Sequence, residues 1–137
     1  MVSWTQIDIH LLDTTTNTWT VVVEGVTATT SLQFDGDSLV GITTRDAPNG
    51  RVVRAPLSDP SAWTTVVPER ADVVLAPFSG FAPFGDQLLV TASSVAIDRI
   101  ERWPSGDVID LGAAGIVALD ADDGGAFVAV ATFGAPI

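Results

Sequence analysis

Few side chains in this chain can do acid–base or nucleophilic work. It has 137 residues, one histidine and no cysteine. The missing cysteine excludes a thiolate nucleophile, a disulfide framework and a Cys-ligated metal. A serine nucleophile needs a base held against it. Ser79 in Phe78-Ser79-Gly80-Phe81, and Ser93 and Ser94 in Ala92-Ser93-Ser94-Val95, lack the glycines of a G-x-S-x-G elbow. His10 lies between Ile9 and Leu11 in an alternating stretch and reads as a strand-surface histidine. No nucleophile–base pair assembles, so the expectation is no catalytic residue and no enzyme activity for this chain alone.

Carboxylates are the next candidates. Asp35 with Asp37, and Asp120 with Asp122 and Asp123, are spaced for acid–base work or calcium binding. Both groups lie beside glycine at turns, where an aspartate side chain accepts from nearby backbone N–H groups. The loop D-x-[DN]-x-[DN]-G-x₅-E is absent, because Asp120-x-Asp122-Asp123-Gly124 has no downstream glutamate. Turn formation is the reading adopted, with no metal and no cofactor. Neither a P-loop nor G-x-G-x-x-G occurs, so nothing points to a nucleotide. Trp19 and Trp63 sit at equivalent repeat positions, which predicts packing between repeats, while Trp4 and Trp103 are less constrained. Arg45 and Arg51 flank Ala47-Pro48-Asn49-Gly50 with Asp46 between them, which predicts a local ion pair shaping that turn; contact with a partner domain is the sharper alternative.

The elements carrying these residues read as strands. Ile7, Ile9 and Leu11 alternate with Asp8 and His10, and Trp19, Val21 and Val23 share a second alternating face. Gly, Pro and Thr recur too often for a sustained 3.6-residue period. Residues 39–44, 51–57 and 63–67 form an antiparallel meander broken by an Asn-Gly turn at Ala47-Pro48-Asn49-Gly50 and by Ser58-Asp59-Pro60-Ser61. Gly80-Phe81-Ala82-Pro83-Phe84 reads as a buried connection. Two segments repeat. Trp19-Thr20-Val21-Val22-Val23-Glu24 returns as Trp63-Thr64-Thr65-Val66-Val67-Pro68-Glu69, and Gly36-Asp37-Ser38-Leu39-Val40 returns as Gly85-Asp86-Gln87-Leu88-Leu89-Val90. The period of roughly 40–50 residues is that of a four-stranded propeller blade. The fold class is therefore all-β: about three four-stranded antiparallel β-propeller blades in one partial or permuted ring, with blade parts at about 5–26, 29–68, 72–112 and 115–134. The two ends carry complementary halves of a split blade.

The run TTRDAPNGRVVRAPLSDPSAWTTVVPERADVVL resembles the propeller domain of the prolyl oligopeptidase family of serine peptidases. That family has a TNxDAPxxRl turn, then a DP…W…lvPE turn and a d-V-l strand. The segment from Gly124 to Pro136 is similar to the last propeller strand before the family's hydrolase domain. The resemblance implies a seven-bladed ring of which this chain is roughly the C-terminal half. It also implies a substrate-gating role beside a hydrolase domain that supplies Ser, Asp and His and cleaves after proline. The alternative is a stand-alone, self-associating module that binds a protein or small ligand.

Charge narrows the partners. The net charge is −11, with six arginines and no lysine. That field opposes nucleic acid and anionic membrane. There is no signal-peptide pattern and no run of about 18 apolar residues, so the expectation is a cytoplasmic protein. Open blade edges invite pairing. The expected partners are a hydrolase domain or missing blades if the chain is a fragment, and otherwise a second copy of itself.

Overall fold

The computed structural model describes residues 6–75, 81–84, 87–94, 97–109, 115–122 and 125–132. They form thirteen strands and, among the described residues, no helix. In chain order the strands are β1 (Ile9–Asp13), β2 (Thr18–Val23), β3 (Thr30–Asp35), β4 (Ser38–Thr43), β5 (Arg51–Pro56), β6 (Thr64–Val67), β7 (Val74–Leu75), β8 (Phe81–Phe84), β9 (Gln87–Ser94), β10 (Ile97–Trp103), β11 (Asp107–Ile109), β12 (Gly115–Asp122) and β13 (Gly125–Thr132). All strand pairing is antiparallel.

Strands β1 and β2 form a hairpin. Its turn is fastened by Asp13, whose carboxylate accepts from the Thr15 hydroxyl at 2.6 Å and the Thr15 N–H at 2.9 Å. The hydroxyl bond, then the backbone N–H bonds of Thr15 and Thr16, hold the Asp13 carboxyl below its ordinary range. Strands β3 to β6 make one complete four-stranded meander. In the next sheet β7 and β8 lie end to end along one edge of β9, so its first strand comes in two pieces. Strand β10 covers the other edge of β9, β11 pairs with β10, and β12 touches β10 at a single pair, Asp98 with Gly115. The β12–β13 hairpin runs in unbroken register from Gly115–Thr132 to Asp122–Gly125. These are antiparallel blades of a β-propeller. The 80–84 stretch is not a connection: its described residues form β8, with Phe81 opposite Val90 and Phe84 opposite Gln87.

One core joins the two larger sheets. Val40, Ile42, Val52 and Val67 from β4, β5 and β6 pack with Leu75, Phe81, Leu88, Val90 and Ala92 from β7, β8 and β9. Register explains the choice. Ile42 lies opposite Val52 and Val40 opposite Arg54, so these four side chains share one face of the meander. A bulge between Val52 and Val53 brings Val66 to the margin of the same core.

The 44–50 loop fastens one blade to the next. It contains no Asn-Gly turn of the hairpin type. Two successive turns close instead, Ala47 N–H to the Thr44 carbonyl and Gly50 N–H to the Ala47 carbonyl, and the positive φ angles fall on Asp46 and Gly50. Asn49 is thereby freed to bind the connector between the sheets. Its N–H donates to Glu69 Oε2 at 2.6 Å, its Nδ2 donates to the Arg70 carbonyl at 3.0 Å, and its own carbonyl accepts from Leu75 N–H at 2.8 Å. Gly50 has φ 89°, and a Cβ there would lie 2.5 Å from the Leu75 carbonyl oxygen. Gly50→Ala should therefore lower stability by about 1–3 kcal/mol. Urea titration of the variant measures this, and a midpoint equal to that of the parent chain would contradict it.

Candidate functional site

The sequence candidates do not converge. His10 is exposed on β1. Asp35, at the end of β3, makes an ion pair with Arg54 of β5 at 2.9 Å, while Asp37 is exposed in the following turn. Asp120 and Asp122 lie in β12; Asp123, Ser79 and Trp4 lie outside the described residues. Ser93 hydrogen-bonds Asp98 across the β9–β10 ladder. No histidine belongs to either strand. Among the described residues no group of three or more His, Cys, Asp or Glu is placed to hold a metal.

Three expectations need correction. Trp19 is 64% exposed and does not pack between repeats. Its counterpart Trp63 is half-buried, with Nε1 donating to the Pro60 carbonyl at 3.0 Å and the Arg45 guanidinium 5.6 Å above its ring. Asp46 forms no ion pair with Arg45 or Arg51. Arg45 stacks on Trp63, and Arg51 donates to the Arg45 carbonyl and the Thr65 hydroxyl instead. Trp103 is tightly constrained rather than loosely placed.

Trp103 belongs to the most strongly built polar constellation among the described residues, which sequence reasoning missed. Its centre is Glu101, 2% exposed on β10. Arg70, from the connector into β7, donates NH2 to Oε1 at 2.7 Å and NH1 to Oε2 at 2.9 Å. Arg99 adds Nε to Oε2 at 3.0 Å, and Trp103 adds its Nε1 to Oε1 at 3.1 Å. The Arg70 guanidinium also lies 5.8 Å from the Trp103 ring centroid, a cation–π distance. Alternation makes this possible: Arg99, Glu101 and Trp103 are spaced by two and share a face with Ala92, Val90 and Leu88, their partners on β9. Burial pushes the Glu101 carboxyl up. The hydrogen bonds from Arg70 and Trp103, the Arg70 charge and the Arg99 bond together outweigh it and hold the carboxyl below its ordinary value of 4.5. The hydrogen bond to Glu101 is correspondingly the main cause that raises the Arg70 guanidinium. A paired-residue signal was present in Arg99-x-Glu101-x-Trp103. The partner Arg70 was not visible, because it comes 31 residues earlier.

Trp103 also faces a cleft at the turn end of the same two sheets. The cleft has a volume of about 350 Å³. Val66, Leu88 and Trp103 give it an apolar side, while Asp35, Arg54 and Gln87 give it a polar one, with Pro104 beside Trp103. The indole is held from its edge by Glu101 and from its face by Arg70, so this wall is fixed before anything enters.

The sheets stack as antiparallel blades, and comparison with known proteins gives the same fold. The structure of a prolyl endopeptidase superposes with a TM-score of 0.74 at 20% identity, over 85% of this chain and 18% of that one. Prolyl oligopeptidase B from Galerina marginata, bound to a 35mer hydrolysis and macrocyclization substrate, superposes with a TM-score of 0.69 at 17% identity, over 82% of this chain and 17% of that one. The chain thus spans less than a fifth of the length of either structure. No curated protein sequence gives a significant match. The sequence model of the prolyl oligopeptidase N-terminal β-propeller domain matches residues 2–129, and with this the chain belongs to the prolyl oligopeptidase N-terminal β-propeller family.

Proposed function

We propose that this chain is a non-catalytic propeller segment that gates access to the hydrolase domain of a prolyl oligopeptidase-type serine peptidase. The observation that carries the reading is the family match over 2–129 on blades whose connector is pinned to β10 by the Arg70–Glu101 pair and to the 44–50 loop by Asn49. A gate must hold its shape while peptides press on it. A buried, fully bonded carboxylate holding the connector between successive blades resists sliding, because any displacement strands charge away from water. In this role the chain contributes packing and exclusion, and the bond-making serine, aspartate and histidine belong to the partner domain.

A second reading has one observation in its favour. Strands β1 and β2 form a separate two-stranded sheet, with Trp19 and Val21 exposed on it. A lone two-stranded hairpin is marginal in water. Further strands are proposed to complete it, carried by the same polypeptide in the first reading and by a second copy of this chain in the alternative.

The two readings separate on the mass of the native polypeptide in its source cells. The gating reading expects a product several times the 14.3 kDa of these residues. A native product of 14.3 kDa that assembles with itself supports the self-associating module and removes the gate. The purified 137-residue chain should not hydrolyse a chromogenic proline peptide, and turnover that tracks the protein through purification would falsify the non-catalytic assignment.

A further inference from the structure

The cleft at the turn end of the blade interface borders the Glu101 clamp through Trp103, and the proposed gating makes no use of it. We infer that it is a binding site for a free α-amino acid with a large apolar side chain. Three observations meet there. Val66, Leu88 and the immobilised Trp103 indole offer an apolar side in a volume of about 350 Å³, within the range of small-ligand pockets. Asp35 and Arg54 stand at the polar side as an ion pair 2.9 Å apart. Gln87, also in the lining, adds an amide that can both donate and accept.

The ion pair selects the ligand class. Its side chains are 22% and 38% exposed, so water reaches and screens the pair and opening it costs little. A purely apolar ligand gains nothing from it. A simple carboxylic acid would take Arg54 and leave Asp35 without its partner, and a simple amine would do the reverse. A ligand bearing both charges satisfies both residues. In an α-amino acid the ammonium and carboxylate are separated by one carbon and stay within about 4 Å of each other, which matches two protein charges already in contact. The ammonium then pairs with Asp35, the carboxylate with Arg54, and the side chain lies against Val66, Leu88 and Trp103. A second hollow shares Gln87 and Pro104 and is lined by Arg102 and Ser105, which gives a longer ligand room to extend.

The probe is L-leucine, titrated into the full chain and followed by the NMR signals of the Trp103 indole N–H and the Gln87 side-chain amide. Saturable shifts with a dissociation constant of about 1 mM are expected for a ligand of this size. Leucinamide lacks the carboxylate and N-acetyl-leucine lacks the ammonium; each should bind at least about tenfold more weakly. Arg54→Gln and Asp35→Asn, which remove one charge each from a partly exposed pair with little change of shape, should each weaken leucine by about tenfold while the amide spectrum of the strands stays that of the parent chain. Absence of saturation up to about 20 mM leucine overturns the site. Equal binding of the blocked analogues, or unchanged binding by both variants, overturns the assignment to a zwitterion.

Discussion

Replacing Arg70 with alanine should remove about 3 kcal/mol of stability, among the largest losses available to a single polar side chain here. Glu101 is buried and takes two of its closest hydrogen bonds from Arg70. Without them the carboxylate keeps only Arg99 and Trp103 as donors, and Arg99 is itself 41% exposed. Breaking a buried pair from one side costs about 3–5 kcal/mol, and the remaining donors set the value at the lower end. Arg70→Lys should recover part of the loss, because an ammonium restores charge but neither the forked contact nor the stacking on Trp103. The pH profile is an independent reading of the same group. Its folded-state carboxyl lies below the ordinary value of 4.5. Its contribution is therefore fully present above 4.5 and is lost as pH falls from there through the lower folded-state value. In Arg70→Ala the main opponent of burial is gone, so this acid-dependent component should shrink. Denaturant titrations from about pH 3 to pH 7 measure both effects. A loss below about 0.5 kcal/mol at neutral pH would mean the clamp is a surface decoration.

Strand content was legible because the alternation of apolar and polar residues is local. Ile7, Ile9 and Leu11 are half-buried where Asp8 and His10 are exposed, as a period of two requires. The repeat was legible for the same reason: the Gly-Asp pair that precedes β4 in the sequence recurs before β9. Three features were not legible. The 44–50 loop depends on Glu69, Arg70 and Leu75, all about twenty or more residues away, and a local turn rule cannot see them. Trp19 and Trp63 are equivalent in sequence, yet Trp63 has Pro60 and Arg45 to bind while Trp19 is left exposed. The clamp was hidden because Arg70, in a connector, has no periodic pattern and reads as a solvated charge. Only the pairing of β10 with β9 turns Glu101 toward it. The same register places Trp103 opposite Leu88 and so puts an aromatic wall on the cleft.

Gly41→Ala should be at least as damaging, with a loss of about 3 kcal/mol or more and unfolding that begins in the β3–β6 sheet. In the repeat, Gly41 falls where Val90 stands in the next sheet, so a side chain is expected at this position on pattern alone. The structure gives the reason for the exception. Gly41 lies opposite Leu32 in the β3–β4 ladder, and a Cβ added to it would land on the Ser31 carbonyl oxygen and 2.8 Å from the Leu32 Cα. Both obstacles are backbone, so no rotamer change relieves them. The strands must separate, and the bonds between β3 and β4 weaken along with the buried Thr30–Thr43 hydroxyl pair at 2.8 Å. Val90, opposite Phe81 in the β8–β9 ladder, instead carries its side chain into the core that the two share. Hydrogen exchange should locate the damage: faster exchange at β3 and β4 amides, with β9 and β10 protected until global unfolding. Uniform acceleration across both sheets would instead mean that the two blades open as one unit. The Arg70–Glu101 clamp predicts that outcome only if its coupling exceeds the stability lost within the β3–β6 sheet, so the Gly41→Ala, Arg70→Ala double variant distinguishes the two. Additive losses place the damage within one blade, and losses smaller than the sum place it at the interface.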